Sequence, residues 1–305
     1  MSALNNKIDF ALVFTVNNAN PNGDPIDGNR PRTTYDGIGE VSDVCLKRKI
    51  RNRWIDDGYS VFVQSDSKRA PGDEFRSLKD RADGCEALKN CLASINSKKK
   101  GKDDAPAMTR ENYARIACEE WLDVRAFGQV FAFKSGKKGD GEGSDAASVG
   151  VRGPVSIHPA FSIDGINITS TQITKLVNLE TGADPDKKGS DTVGMKHRVD
   201  RGVYVTYGSV NIQLAEKTGF SEEDAEALKE ALRTLFRNDA YAARPDGSME
   251  VIKLAWWEHN CPAGQYSAAK VHRSLKVEDN GSDVPTVSVD EAAIPGLKYS
   301  LIDGE

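Results

Sequence analysis

Five cations, Lys47, Arg48, Lys49, Arg51 and Arg53, fall within residues 41–54 (VSDVCLKRKIRNRW) of a chain whose formal net charge is −5. Guanidinium and ammonium groups at this density meet the chemical requirement for holding an anion, phosphates in particular. Read as a helix, the stretch puts Lys47 and Arg51 one turn apart on one side and stacks Leu46, Ile50 and Trp54 at i, i+4 and i+8 on another. One face is then set against a core and its neighbour toward an anion. Lys49 and Arg53 project elsewhere on the wheel, toward solvent or another subunit. Two further basic sets extend the pattern: Arg30 and Arg32 in the preceding loop, and Lys196, His197 and Arg198 after Met195. From the residues alone, such a helix face serves solvation and salt bridging as readily as RNA, and Met195 packs as readily as it wedges between bases.

Acidic residues offer a different chemistry. Asp24, Asp27 and Asp36 in one loop, with Asp123, are the ligand types of metal-assisted phosphodiester hydrolysis. Within an Asn/Pro/Gly-rich loop the same aspartates form turns and caps, and that reading is favoured because nothing in the sequence sets their mutual geometry. No G-x-S-x-G and no G-x-x-x-x-G-K-[ST] occurs. The five cysteines are odd in number and include no C-x-x-C pair, and the four histidines are dispersed, so reduced thiols and neither a metal site nor a cofactor are expected. A net charge of −5 leaves any nucleic-acid binding to local patches.

These residues need a scaffold, and 305 residues are enough for one large domain or two ordinary ones. No apolar run has bilayer length, and the N-terminus lacks a basic segment followed by an apolar one, so a cytoplasmic protein without a membrane partner is expected. The apolar run 7–16 reads as a buried strand. Residues 17–39, centred on Asn20-Pro21-Asn22-Gly23-Asp24-Pro25, form a long polar loop, a feature that is usually functional. After the basic helix (41–56) come a short strand at 59–64 and an insertion at 65–108. The insertion has Cys85 and Cys91 in a short helix and a solvated tip at Lys98 to Lys102. A helix follows from Thr109 to Leu122, then an apolar segment at 130–133 and a mobile loop at 134–150. Strand character returns at 151–157, in a hairpin of 160–163 with 166–169 around Asp164-Gly165, and, past an excursion at 171–201, at 203–214. A helix at 221–236 and strands at 249–257 and 297–302 complete the chain. This order is compatible with a ferredoxin-like β-α-β-β-α-β sheet, an α+β fold shared with RNA-recognition modules.

Five motifs carry a family likeness: NANPNGDP (18–25), SDVCLKRKIR (42–51), DVRAFG (123–128), GPV (153–155) and MKHRVDRGVY (195–204). Together they resemble the Cas-seven backbone subunit of the type I-C CRISPR effector complex, Cascade. The resemblance implies a single hand-shaped domain over 1–305. Its RNA-recognition-like palm would be about 1–64, 121–170 and 202–305, with helical fingers at about 65–120 and a β-hairpin thumb at about 171–201. It also implies copies polymerised head to tail along a guide crRNA, each thumb holding the RNA on the neighbouring palm and displacing a nucleotide. Target DNA is then read through the guide, beside a crRNA-processing Cas-five type subunit, a large subunit and a small subunit.

By the same resemblance Ser42, Lys47 and Arg51, then Arg48, are palm contacts to guide phosphates, and Met195 to Arg198 lie on the thumb's return strand. Asp123, Arg125 and Gly128 are structural, and the subunit is not an enzyme. Related type III subunits cut RNA through an acidic loop residue, which makes a nuclease centred on Asp24, Asp27 or Asp36 the alternative. A structural oligomer without nucleic acid is a third reading. The acidic excess departs from a simple RNA-binder and fits a filament subunit that needs acidic surfaces for its neighbours.

Overall fold

The structure is a computed structural model that describes residues 2–97, 110–132, 148–174 and 193–305. The apolar run near the N-terminus becomes β1 (Ile8–Ala19), which ends three residues beyond the expected 7–16, and it lies inside the sheet. Phe10, Leu12, Phe14 and Val16 face one core cluster and Ala11 and Val13 the other, so a strand buried on both sides has lost the usual apolar/polar alternation. The long polar loop holds only β2 (Gly23–Asp24) and β3 (Arg30–Pro31), which pair with each other, before β4 (Ile38–Val41) and α1 (Asp43–Asp56). Helices α2 (Leu78–Gly84), α3 (Glu86–Ser97), α4 (Arg110–Glu120) and α5 (Leu122–Phe127) follow, then the paired β5 (Gly128–Ala132) and β6 (Ser148–Arg152).

The remaining elements are β7 (Val155–Ile157), β8 (Ala160–Gly165), β9 (Ile168–Thr174), β10 (Val193–Val210), α6 (Ile212–Thr218), α7 (Glu222–Arg233), β11 (Met249–Glu258), α8 (Ala268–Ser274), β12 (Leu275–Glu278), β13 (Thr286–Val289) and β14 (Lys298–Asp303). The main sheet runs β14-β11-β1-β10-β8-β4, with β7 and β9 also on β10, and its pairings are antiparallel. Helices α1 and α7 cover one face and α8 packs on the other. Helix α7 starts at a capping box in which Ser221 and Asp224 satisfy each other's backbone N–H. A third cluster, with Phe62, Cys91, Tyr113, Trp121 and Phe131, joins the 62–63 segment, α3 and α4 to the β5–β6 pair. The chain is thus mixed α/β around one large antiparallel sheet, as the α+β expectation has it at that level.

Several local expectations are corrected. Residues 59–64 are not a strand: the Phe62 and Val63 amides donate to the Asp123 carboxylate at 2.6 and 3.1 Å, so their partner is a side chain instead of a neighbouring strand. Asp164-Gly165 does not close a hairpin, because β8 pairs with β4 and β10 whereas β9 pairs with β10. The strand expected over 203–214 ends at Val210, where the Asn211 side chain accepts from the Leu214 amide (3.0 Å) and starts α6. The helix expected to reach Leu122 breaks after Glu120, and 122–127 form a helix of their own. The readings of the 98–102 tip, of Thr109, of nearly all of 134–150 and of the 181–191 tip fall outside the described residues.

Candidate nucleic-acid interface

Ser42 is the N-cap of α1, its Oγ accepting from the Cys45 amide at 3.4 Å. The same residue is held from the other side, since its amide and its hydroxyl both donate to Asn22 Oδ1, at 2.9 and 2.8 Å. Asn22 belongs to the Asn-Pro-Asn-Gly-Asp-Pro loop, so the loop and the start of the basic helix are one hydrogen-bonded unit. Gly23 permits it: a Cβ there would lie 2.6 Å from Asn29 Cγ. Asn20 donates to the Asn29 carbonyl at 2.7 Å, and Arg32 N to the Asn22 carbonyl at 3.1 Å.

The cations of α1 divide by their surroundings. Leu46, Ile50 and Trp54 are fully buried, as the spacing predicts. Lys47 and Arg51 do share a side: the Lys47 ammonium lies 5.9 Å and the Arg51 guanidinium 5.1 Å from the Phe127 ring centre, and that ring stacks on Trp54. Lys47 pairs with Asp43 one turn back at 3.0 Å and stays a quarter exposed. Arg51 is more enclosed, its Nε donating to Asp123 Oδ2 at 2.7 Å, while its two terminal nitrogens have no protein partner among the described residues. Arg48 is exposed and has no ion pair or hydrogen bond among the described residues.

Lys49 and Arg53 reverse the expectation that they reach solvent or another subunit: both are buried. Lys49 pairs with Asp239, and burial draws its ammonium below the ordinary lysine pKa with Asp239 offsetting part of the cost. Arg53 donates to Asp56 (3.0 Å), Asp57 (2.8 Å) and Thr234 Oγ1 (3.1 Å). In the loop, Arg30 is half-buried with no side-chain partner among the described residues, and Arg32 makes a 3.4 Å contact with Asp24.

The third basic set lies on an arm. Strand β10 is eighteen residues long. Its later half sits in the sheet, while residues 193–199 pair with β9 and their outer end is exposed. Met195 (54% exposed) and His197 alternate along it with Lys196 and Arg198, so the two pairs point to opposite faces. His197 Nδ1 is 2.8 Å from Ser170 Oγ, Arg198 lies 3.7 Å from Asp200, and Lys196 has no partner among the described residues. The pair Ala19–Val199 and the contact of β3 with β10 bring the 20–41 loop to the root of this arm.

The acidic residues differ in their surroundings. Asp24 accepts from the Ile26 amide at 3.0 Å, a local turn, and Asp27 and Asp36 are exposed. Asp123 is fully buried with its oxygens taken by Arg51, Phe62 N and Val63 N. Among the described residues no group of three or more His, Cys, Asp or Glu is placed to hold a metal ion. The other residues of the 123–128 motif have structural surroundings: Arg125 forks onto both Asp224 oxygens at 2.7 Å. Gly128 (φ 80°) meets Gly153 so closely that a Cβ would lie 2.7 Å from the Gly153 nitrogen. Two residues escaped the sequence reading. Nothing local marks Asn22 as the partner of Ser42, 20 residues on, or Phe127 as the ring beneath Lys47 and Arg51.

The sequence pattern of the family described as CRISPR-associated protein Cas7 matches residues 6–295. The chain belongs to that family. A CRISPR-associated protein Cas7 from Haloferax volcanii is 29% identical over 293 residues, covering 91% of this chain and 77% of that protein. Among solved structures, a chain of a CRISPR RNA-guided surveillance complex, pre-nicking, gives 18% identity and a TM-score of 0.44 over 82% of this chain and 78% of that chain. A second CRISPR RNA-guided surveillance complex gives 16% identity and a TM-score of 0.37 over 82% of this chain and 68% of that one. Among the described residues of this Cas7-family chain no helix is long and apolar enough to cross a membrane.

Proposed function

We propose that the chain is the non-catalytic, guide-RNA-binding backbone subunit of a type I-C surveillance complex. It polymerises head to tail along the crRNA and presents it to target DNA, beside Cas-five type, large and small subunits. The observation that carries this reading is the distribution of unpaired charge in an acidic family member. Arg48 on α1 and Arg30 in the loop locked to it lack protein partners among the described residues, as does Lys196 near the root of the arm. Lys47 flanks them with only a surface pair to Asp43. Groups of this kind hold phosphates through charge and leave base edges unread. Ser42, Lys47 and Arg48 are the palm contacts in this reading, with Arg30 and Arg32 beside them. Arg51 acts through its terminal nitrogens while it holds Asp123, and Met195 to Arg198 act from the thumb.

The strand order β11-β1-β10-β8 supports a ferredoxin-like, RNA-recognition-like palm. The β9–β10 arm supports a thumb at about 171–201, and the separate core around Tyr113 supports fingers at about 65–120 in a single hand-shaped domain. Salt titration of single-stranded RNA binding tests the reading. Lys47→Ala with Arg48→Ala makes the negative slope of log K against log salt shallower by about 1.4, the loss of two single-strand phosphate contacts. An unchanged slope overturns the palm assignment. Incubation with RNA and Mg²⁺ or Mn²⁺ gives no cleavage; cleavage abolished by Asp24→Ala or Asp36→Ala would put the nuclease in its place.

A further inference from the structure

One exposed aromatic residue stands beside the candidate interface without being part of it. Tyr241 is 52% exposed at the start of a short turn that it closes with Arg244 by backbone hydrogen bonds in both directions, at 2.9 and 2.8 Å. The Arg244 guanidinium covers one face of its ring at 4.2 Å from the centre and donates to the phenol oxygen at 2.9 Å. Arg244 is itself fixed by Asp239, at 2.9 and 3.4 Å, and Asp239 also receives the buried Lys49 of α1. The ring is therefore braced on the Arg244 side by a chain of ion pairs that ends in the basic helix, and about half of the residue stays exposed. Ordering a Tyr in this way removes in advance the entropy that a ligand would otherwise have to overcome.

The position of this turn is set by Asn20. Its amide donates to the Ala243 carbonyl at 2.9 Å and its side chain to the Asn29 carbonyl at 2.7 Å. Asn20 thus joins the Tyr241 turn to the residue before Arg30, whose guanidinium has no partner among the described residues. A braced, half-exposed ring and a free guanidinium held together by one asparagine match the two parts of a nucleotide, its base and its phosphate. Lys49 and Arg244 are both paired with Asp239, which leaves the Arg30 guanidinium as the cation of this group without a side-chain partner among the described residues.

We propose that Tyr241 is a stacking surface for one unpaired base of single-stranded RNA, with Arg30 on the adjoining phosphate. The inference rests on the RNA-binding reading above and adds a site to it. Aromatic stacking of this kind tolerates any base, in keeping with a protein that leaves sequence to the guide.

The test measures binding of oligoadenylate, and of the same strand with a single abasic position moved along it, to the full chain. Tyr241→Ala weakens oligoadenylate binding about 10-fold at unchanged salt slope, Tyr241→Leu does the same, and Tyr241→Phe binds as the parent. One abasic position costs the parent a similar factor and costs Tyr241→Ala nothing further, with melting temperatures alike in all four proteins. Parental affinity in Tyr241→Ala and Tyr241→Leu, alongside the reduced slope of the Lys47→Ala, Arg48→Ala protein, overturns the stacking site and leaves the RNA-binding reading intact. A change in self-association at constant RNA affinity makes the turn a protein contact and overturns it as well. Absence of RNA binding by the parent removes both proposals.

Discussion

The two sides of α1 put the same residue types to opposite uses. On one side Lys49 and Arg53 are buried, each matched to carboxylates from its own helix end or from the 237–248 turn, while Arg51, on the side of Lys47, is tied to Asp123. On the other, Lys47 keeps only a surface pair and Arg48 none among the described residues. A buried cation that loses its partner must remain charged in a low dielectric or give up its proton, so the first side is committed to the fold. An exposed cation gives up little when it exchanges water for a phosphate, so the second side is free to bind. Positive charge in the sequence marks both, and only the location of the partners separates them.

The comparison can be broken most directly at the buried carboxylates. Asp239→Ala strands Lys49 and is expected to cost about 3–5 kcal/mol in urea unfolding, as is Asp123→Ala, which strands Arg51 and two backbone amides. A loss under about 1 kcal/mol for both would show that these pairs do not hold the helix.

Acidification tests whether buried charge elsewhere obeys the same rule. At the far end of β1, Asp9 accepts from Lys7 and from His259, each at 2.8 Å; the Gln265 amide donates to His259 Nδ1, so the His259 proton sits on Nε2. Burial alone would raise the Asp9 carboxyl, but those two donors outweigh it and hold it below its ordinary value. His272, stacked on Tyr207, edge-on to His158 and 3.9 Å from Asp9, is drawn down by burial more than Asp9 draws it up. The folded state therefore takes up the His272 proton less readily than the unfolded chain. Its contribution is complete above about pH 6.5 and is lost as the pH falls through its lowered folded value. The Asp9 contribution is complete above about pH 3.9 and is lost below that. Unfolding free energy measured against pH should show the upper limb, and His272→Gln should flatten it; a flat parental curve between pH 7 and pH 5 would contradict the assignment.

Smaller effects sharpen the exposed side. Ser42→Ala removes an N-cap and is expected to cost about 1 kcal/mol in stability, with RNA affinity falling as the Asn22 tie is released. Lys47→Ala with Arg48→Ala should leave the unfolding midpoint nearly unchanged while making the salt slope of RNA binding shallower. An appreciable loss of stability in that double variant would erase the distinction between the two sides.

How far the site could be read from residues follows from where each partner lies. The face of Leu46, Ile50 and Trp54 depends on neighbours within two helical turns, and it is where the spacing puts it. The segment at 59–64 has strand composition, yet its amides are satisfied by a carboxylate 60 residues along the chain. The Asp164-Gly165 pair has hairpin chemistry, yet strands from other parts of the chain take the ladder positions on either side. Lys49 could not be told from Lys47 and Arg48 because Asp239 is 190 residues away; Arg53 meets Asp56 and Asp57 close by, and only its bond to Thr234 spans 181 residues.

By itself, then, the sequence determined what is local: the elements whose periodicity and caps are self-contained, the loop that must break regular structure, the absence of nucleophile and P-loop motifs, and the motifs shared with one family. The tertiary structure alone decided which cations are spent on buried carboxylates and which stay available, and that Asn22 joins the loop to the basic helix. It also decided that Tyr241 stands braced at the loop's edge. The physical reason is that a charge acquires its role from the dielectric and the counter-charges around it, and in this fold those arrive from distant segments of the chain.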